Sequence, residues 1–296
     1  MKKILLIYRA KTDKSKKSAT LFSEKIQNLT GKDCVVESCE ISELFFEIDQ
    51  DLMSIYHPTK GFNLSDFDLV VVRHIGPCHP EAHAIAVYCQ SLGIKYTDTY
   101  LNRLLPDSKI SSQFALFAGG IKDFPTTFYG PVSELKRRLP ELGDTAVLKD
   151  SNGSKGRLNF KITSSEQLQK NAEDNPDTFF VLQKFIPNNS DLRILVLNEE
   201  SVLVIKRIGD SESHLNNTSQ GGKAVIIPLS EVDAKILKTA ERASKLLKLQ
   251  VAGVDVVFDE NTGEHYILEV NNAPQISSGS FLEEKAELYA NMLKSL

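Results

Sequence analysis

VAGVDVVFDENTGEHYILEVNNAP, residues Val251 to Pro274, sets two Val- and Ile-rich runs on either side of a polar turn, Asp259 to Glu264. Such alternating runs predict a pair of antiparallel strands. Both strands carry polar groups where a core strand is apolar: Asp255 in the first, Glu269 and Asn271 in the second. Side chains two apart on a strand share a face, so Glu269 and Asn271 point the same way. If the turn centres on Thr262, Asp255 falls opposite Glu269. Two carboxylates this close need compensation, and a divalent cation held by oxygen ligands supplies it. The plainer alternative is a hairpin whose acids face water.

Composition narrows the rest. The chain has 296 residues, ordinary apolar content and a formal net charge of -4. It is long enough for one large domain or two to three smaller ones. Without a basic excess, a nucleic-acid partner is not expected. Cys34, Cys39, Cys78 and Cys89 fit no zinc spacing and read as free thiols in a reducing cytosol, so a cytoplasmic location is expected. The apolar run in MKKILLIYRAK is too short for a membrane span and reads as a first strand.

Strands at Lys3 to Tyr8, Asp33 to Cys39, Asp68 to Arg73 and Ile94 to Thr97 alternate with helices at Ser18 to Asn28 and His79 to Leu92. That pattern predicts a parallel sheet with its ligand edge at the strand carboxyl ends, near Arg9 and Arg73 to Gly76. No GxGxxG follows the first strand, so a dinucleotide site is not expected. His79 and His83 share a helix face, but no partner completes a zinc set. Arg73 reads either as an anion binder or as half of a structural ion pair.

After Leu104-Leu105-Pro106, which reads as a linker, the pattern becomes strand-rich and antiparallel. Ser108 caps a helix carrying Lys109. In TAVLKDSNGSKGRLNFK, Thr145 to Lys161, a strand ends at Lys149. A loop with Gly153, Ser154 and Gly156 follows, and then a second strand. Glycines let backbone N–H groups approach an anion, so this is either a flap over phosphates or a plain hairpin turn. FFVLQKFI, Phe179 to Ile186, ends an apolar strand whose backbone offers N–H and C=O groups to an adenine edge. The hairpin that follows adds Asp191, Arg193, Lys206 and Arg207, and Glu231 to Leu247 has an amphipathic helical period. Cations, a flap and paired carboxylates together describe a Mg²⁺-nucleotide site for phosphoryl transfer.

At these residues the chain resembles the ATP-grasp superfamily, in its RimK-like carboxylate–amine ligase branch. DSKISSQFALFAGG, AVLKDSNGSKG, VLQKFIPNNSDLRILVL, VLVIKR, NNTSQGG, VAGVDVVF and YILEVNNAP carry the resemblance, in order and spacing. It implies an α/β (α+β) ATP-grasp fold with an N-terminal parallel-sheet pre-ATP-grasp domain. The expected divisions are 1–105 for that domain, 106–186 for a central subdomain with the Gly-rich flap, and 187–296 for a C-terminal subdomain with the metal-binding hairpin. It implies that Lys109 and Lys149 meet the nucleotide phosphates and that Gly153 to Gly156 form the flap. Gln183, Lys184, Phe185 and Ile186 would be the adenine hinge, and Asp191 would sit near the ribose or the substrate. Lys206 joins this nucleotide-binding set. Arg193 and Arg207 would stabilise charge on the γ-phosphate or acyl phosphate, with Asn217 before the family's Gly-Gly. Asp255, Glu269 and Asn271 would bind two Mg²⁺ ions, with Mn²⁺ as a substitute. Two positions depart from the family: its common hinge acid is Lys184 here, and Gln220 stands where relatives with peptide or glutamate substrates often carry Arg.

The implied chemistry is ATP-dependent amide or peptide bond formation through an acyl phosphate, releasing ADP and phosphate. Its partners would be small-molecule or peptide carboxylates and amines, without nucleic acid or membrane. The helical faces permit a homo-oligomer. A non-catalytic ATP-binding module and a small-molecule kinase are the alternatives on the same fold.

Overall fold

The computed structural model describes residues 1–10, 12–49, 52–102, 108–153, 158–209 and 223–296. The chain begins with β1 (Lys2–Tyr8), α1 (Asp13–Thr30) and β2 (Cys34–Glu40). Helix α1 starts a turn earlier than its apolar spacing predicts, because Thr12 caps it and Ser15 answers from the first turn. A three-stranded antiparallel sheet follows, of β3 (Phe45–Asp49), β4 (Leu52–His57) and β5 (Phe62–Asn63), which the sequence reading did not anticipate. Then come β6 (Leu69–Arg73), α2 (His79–Leu92) and β7 (Lys95–Thr97). Strands β2-β1-β6-β7 pair in parallel in that order, as the alternation with helices predicts. The predicted bounds of α2 hold to the residue, and Gly93 ends it in the left-handed conformation.

The next layer is α3 (Lys109–Ala118), β8 (Thr127–Tyr129), α4 (Val132–Arg138), β9 (Ala146–Asp150), β10 (Asn159–Ile162), α5 (Ser165–Glu173) and β11 (Phe180–Lys184). Its four strands form an antiparallel sheet in the order β10-β9-β11-β8. Leu135, Leu148, Leu168 and Leu182 pack α4 and α5 against one face.

The last layer holds β12 (Ser190–Leu197), β13 (Glu200–Ile208), β14 (Lys223–Ile227), α6 (Ala234–Leu247), β15 (Val251–Phe258), β16 (His265–Asn271) and α7 (Leu282–Ser295). The strands run antiparallel as β14-β13-β12-β15-β16. Helix α6 covers one face through Ile236, Ala240 and Leu247 against Ile194, Val254 and Val256. On the other face Leu195, Leu203, Ile205 and Val251 join Ile4 and Val71 of the parallel sheet in one core with α7. Both faces of β15 are therefore covered, which explains why a strand containing Asp255 is buried almost throughout. Among the described residues, no helix is long and apolar enough to cross a membrane.

The register pairs Gly253 with Asn271 and Asp255 with Glu269, as expected, though not for the expected reason. Beyond the turn Phe258 pairs with His265, half a residue off a turn centred on Thr262. A bulge between Asp255 and Val256 restores the offset.

Candidate active site

The site is built from three elements. Ser108 caps α3 by accepting from the Ser111 N–H, which places Lys109 at the first helical position. The Lys109 amide donates to the Ser151 carbonyl at 3.2 Å, and its ammonium donates to the Gly153 carbonyl. Helix α3 is thus tied to the start of the glycine loop by both ends of one residue.

Strand β9 supplies the second cation. Lys149 pairs with Val181, so Lys149 and Gln183 are diagonal neighbours on one face. The Lys149 ammonium donates to Gln183 Oε1 at 2.7 Å, and Gln183 Nε2 donates to Thr127 Oγ1 at 3.0 Å. Gln113 also reaches Thr127, and Tyr129 donates to Gln113. This chain of amides and hydroxyls fixes the lysine's direction. Burial pushes the Lys149 ammonium down to about 8, partly offset by the charge of Glu269.

The third element is the β15–β16 hairpin. A cavity of about 180 Å³ lies between Lys109, Lys149 and Gln183 on one side and Glu269, Asn271 and Asn272 on the other. Burial pushes the Glu269 carboxyl up, and the charge of Asp255 adds to that rise. Among the described residues no donor bonds the Glu269 carboxylate. Asp255 is buried, and its oxygens accept from two guanidiniums. Arg193 grips it with Nε and Nη2, the latter at 2.7 Å, and Arg207 Nη2 reaches it at 3.2 Å. The two guanidiniums outweigh burial and hold this carboxyl below the ordinary range. Asn271 Nδ2 also donates to Asp255 at 3.3 Å.

The arginine pair follows from register. Arg193 faces Asp255 across β12 and β15, and Arg207 faces Asp191 across β13 and β12. Arg207 binds Asp191 through two bonds of 2.6 and 2.8 Å. Burial, with the Asp255 charge, still pushes the Asp191 carboxyl up to about 6. Gly253 leaves the room Arg193 needs: a Cβ there would sit 2.9 Å from Pro274 Cβ and 3.1 Å from Arg193 Cδ.

Asp255, Glu269 and Asn271 offer hard oxygen donors of the kind Mg²⁺ takes. The unbonded, half-buried Glu269 carboxylate fits a cation, as does its position opposite a second carboxylate. Among the described residues no group of three or more His, Cys, Asp or Glu side chains forms a metal site. That includes His79 and His83; His83 Nδ1 lies 2.9 Å from the Leu101 carbonyl.

Several expected residues stand apart from this cavity. Lys184 is exposed with its N–H on the Thr126 carbonyl, Phe185 lies under the Lys161 ammonium at 4.6 Å, and Ile186 is buried. Of the four hinge residues only Gln183 lines the cavity. Asp191 is engaged by Arg207, and strand alternation turns Lys206 to the face opposite Arg207. Ser154, Gly156, Asn217, Gln220 and the Leu104-Leu105-Pro106 linker lie outside the described residues. Arg73 is half of an ion pair, 3.7 Å from buried Asp98, which accepts from the Val251 N–H. Neither Asp98 nor Lys285, which lies against Arg193 and Arg207, stood out in the sequence.

Comparison with known proteins bears on the fold and family. The model of the RimK-like ATP-grasp domain matches residues 107–296. A probable alpha-L-glutamate ligase from Haemophilus influenzae is 31% identical over 225 residues, 73% of this chain and 71% of its own. The solved macrocyclase from Microcystis aeruginosa, bound with its precursor peptide, superposes with a TM-score of 0.73 at 14% identity, covering 99% of this chain and 100% of that one. A Chryseobacterium gregarium ATP-grasp ligase in complex with ADP and peptides gives 0.71 at 17% identity, covering 100% and 97%.

Proposed function

The chain belongs to the RimK-like ATP-grasp family, and from that premise we propose that it is an ATP-dependent carboxylate–amine ligase working through an acyl phosphate. One observation carries the reading: two lysines, Lys109 and Lys149, face the oxygen donors of Glu269 and Asn271 across a single cavity. Cations on one wall and metal-type ligands on the other suit a triphosphate lying between them.

In this reading Lys109 and Lys149 hold the phosphates. Asp255, Glu269 and Asn271 hold Mg²⁺, which when bound neutralises charge on the phosphate oxygens. A substrate carboxylate oxygen attacks the γ-phosphorus. The bond from that phosphorus to the β-phosphate oxygen breaks, and ADP leaves. An amine then attacks the acyl carbon, a C–N bond forms, the C–O bond to the phosphate breaks, phosphate leaves with the former carboxylate oxygen, and the nitrogen gives up a proton to it or to solvent. Arg193 and Arg207 stabilise the negative charge that builds up in both steps. The division of the chain at residues 105 and 186 belongs to the same proposal.

The test is incubation with ATP, Mg²⁺ and a panel of carboxylates and amines, including L-glutamate and short peptides. ADP and phosphate are expected, and hydroxylamine should trap a hydroxamate. AMP and pyrophosphate would rule the mechanism out.

A further inference from the structure

The β15–β16 hairpin is held at both ends by the carboxyl edge of the parallel sheet. Asp98, Thr99 and Tyr100 follow directly on β7 at that edge. Asp98 Oδ1 accepts from the Val251 N–H at 2.9 Å, where β15 begins. The Tyr100 hydroxyl accepts from Asn272 Nδ2 at 3.2 Å, just past the end of β16. Arg73, the last residue of β6, joins the two ends. Its guanidinium lies 3.7 Å from Asp98, and its Nη2 donates to the Pro274 carbonyl at 3.5 Å. Beside these contacts the Thr99 N–H donates to Gln250 Oε1 at 2.7 Å, and the Tyr100 N–H to the Lys248 carbonyl at 3.1 Å.

A parallel sheet commonly takes its ligand at this edge. Here the charged pair faces protein instead. Asp98 is 2% exposed, and burial pushes its carboxyl up to about 6 against the charge of Arg73. A buried pair of this kind is a weak source of stability; what it supplies is direction. The two ends it holds belong to the strands that carry Asp255 on one side and Glu269 and Asn271 on the other. Pro274 also packs against Gly253, the residue paired with Asn271, so a shift of either end moves the oxygen donors relative to one another.

We propose that Asp98, Arg73 and Tyr100 are positioning residues: they seat the β15–β16 hairpin so that Asp255, Glu269 and Asn271 present one set of oxygens. The use of that set for a cation rests on the ligase reading; the seating does not. None of the three lines the cavity. They act through the hairpin backbone and through Asn272, which does line it.

The test uses the full chain, with Mn²⁺ as a spectroscopic substitute for Mg²⁺. Water-proton relaxation measures Mn²⁺ bound to the protein with ADP, and hydrogen exchange follows the hairpin amides without metal or nucleotide. Asp98→Ala removes the acceptor of the Val251 N–H and should weaken Mn²⁺ about tenfold, with ADP affinity in the absence of metal unchanged. In turnover the Mg²⁺ requirement should rise by a similar factor, with kcat recovered at saturating Mg²⁺. Amides of β15 and β16 should exchange faster while those of β9 to β11 keep their protection. Asp98→Asn retains an acceptor for Val251 and should recover most of the affinity. Tyr100→Phe removes one hydroxyl and carries the same test if Asp98→Ala does not fold. Unchanged Mn²⁺ affinity in the folded variants overturns the proposal, as does an equal loss of protection in every sheet. A loosened hairpin with weakened Mn²⁺, in a protein that forms no ADP with any substrate, would count against the ligase reading alone. No Mn²⁺ binding by the unaltered chain would also count against that reading, and hairpin exchange then decides the seating.

Discussion

Asp255 and Glu269 stand directly opposite each other on paired strands, yet their carboxyl groups are shifted in opposite directions. Two guanidiniums compensate Asp255. Glu269 is half-buried beside that charge without a hydrogen-bond donor among the described residues. The asymmetry gives Glu269 the larger gain from a bound cation.

Glu269→Gln should therefore leave the fold intact and the thermal midpoint unchanged or raised, because it removes a half-buried acid whose charged form desolvation and the Asp255 charge both disfavour. Mg²⁺-dependent turnover should fall by about 10²-fold or more. Thermal unfolding and ADP release measure the two halves, and a lowered midpoint with retained turnover would contradict both.

Arg193→Met should destabilise the protein by about 3 kcal/mol, since it strips a buried carboxylate of its two-pronged partner. Adding Asp255→Asn should recover most of that loss, although not activity. Urea unfolding of the two single variants and the double variant measures the coupling.

Gly253→Ala tests the close approach beneath Arg193. The added Cβ meets Pro274 Cβ at 2.9 Å, a contact that forces a shift. The expected cost is about 1–3 kcal/mol, with a loss of turnover as Arg193 is displaced. Unfolding and kcat/KM should fall together.

Lys149 gives a pH dependence. Its folded pKa of about 8 lies below the ordinary 10.5, so the folded chain binds fewer protons than the unfolded chain between those values. Stability should therefore gain from this group as pH rises through that window, a gain that Lys149→Met abolishes. Nucleotide phosphates favour the charged lysine, so ATP affinity should weaken by up to about tenfold per pH unit above 8. Calorimetry in buffers of different ionisation enthalpy should record proton uptake on binding at pH 9.

The parts of the fold that depend on local pattern were legible in the sequence. The parallel strands, α2 and the terminal hairpin follow from apolar runs and punctuation by Gly, Pro and capping residues. The short strands β3 to β5 were not legible, because segments such as FFEID carry no sustained alternation. The facing of Asp255 and Glu269 was anticipated, but a bulge no pattern announces produced it. Arg73 had two readings, and the partner that decides between them, Asp98, lies 25 positions away on another element. Lys285, set among Glu283, Glu284 and Glu287, reads as a solvated helix face. Only the packing of α7 against the five-stranded sheet buries it.

The most direct test of the central claim follows oxygen. The protein is given ATP, Mg²⁺, an amine and a carboxylate substrate from the panel labelled with ¹⁸O in its carboxyl group, and the phosphate is analysed by mass spectrometry. One ¹⁸O per product should appear in inorganic phosphate, alongside ADP. Label in AMP, or ADP-forming amide synthesis with unlabelled phosphate, would contradict the acyl-phosphate account.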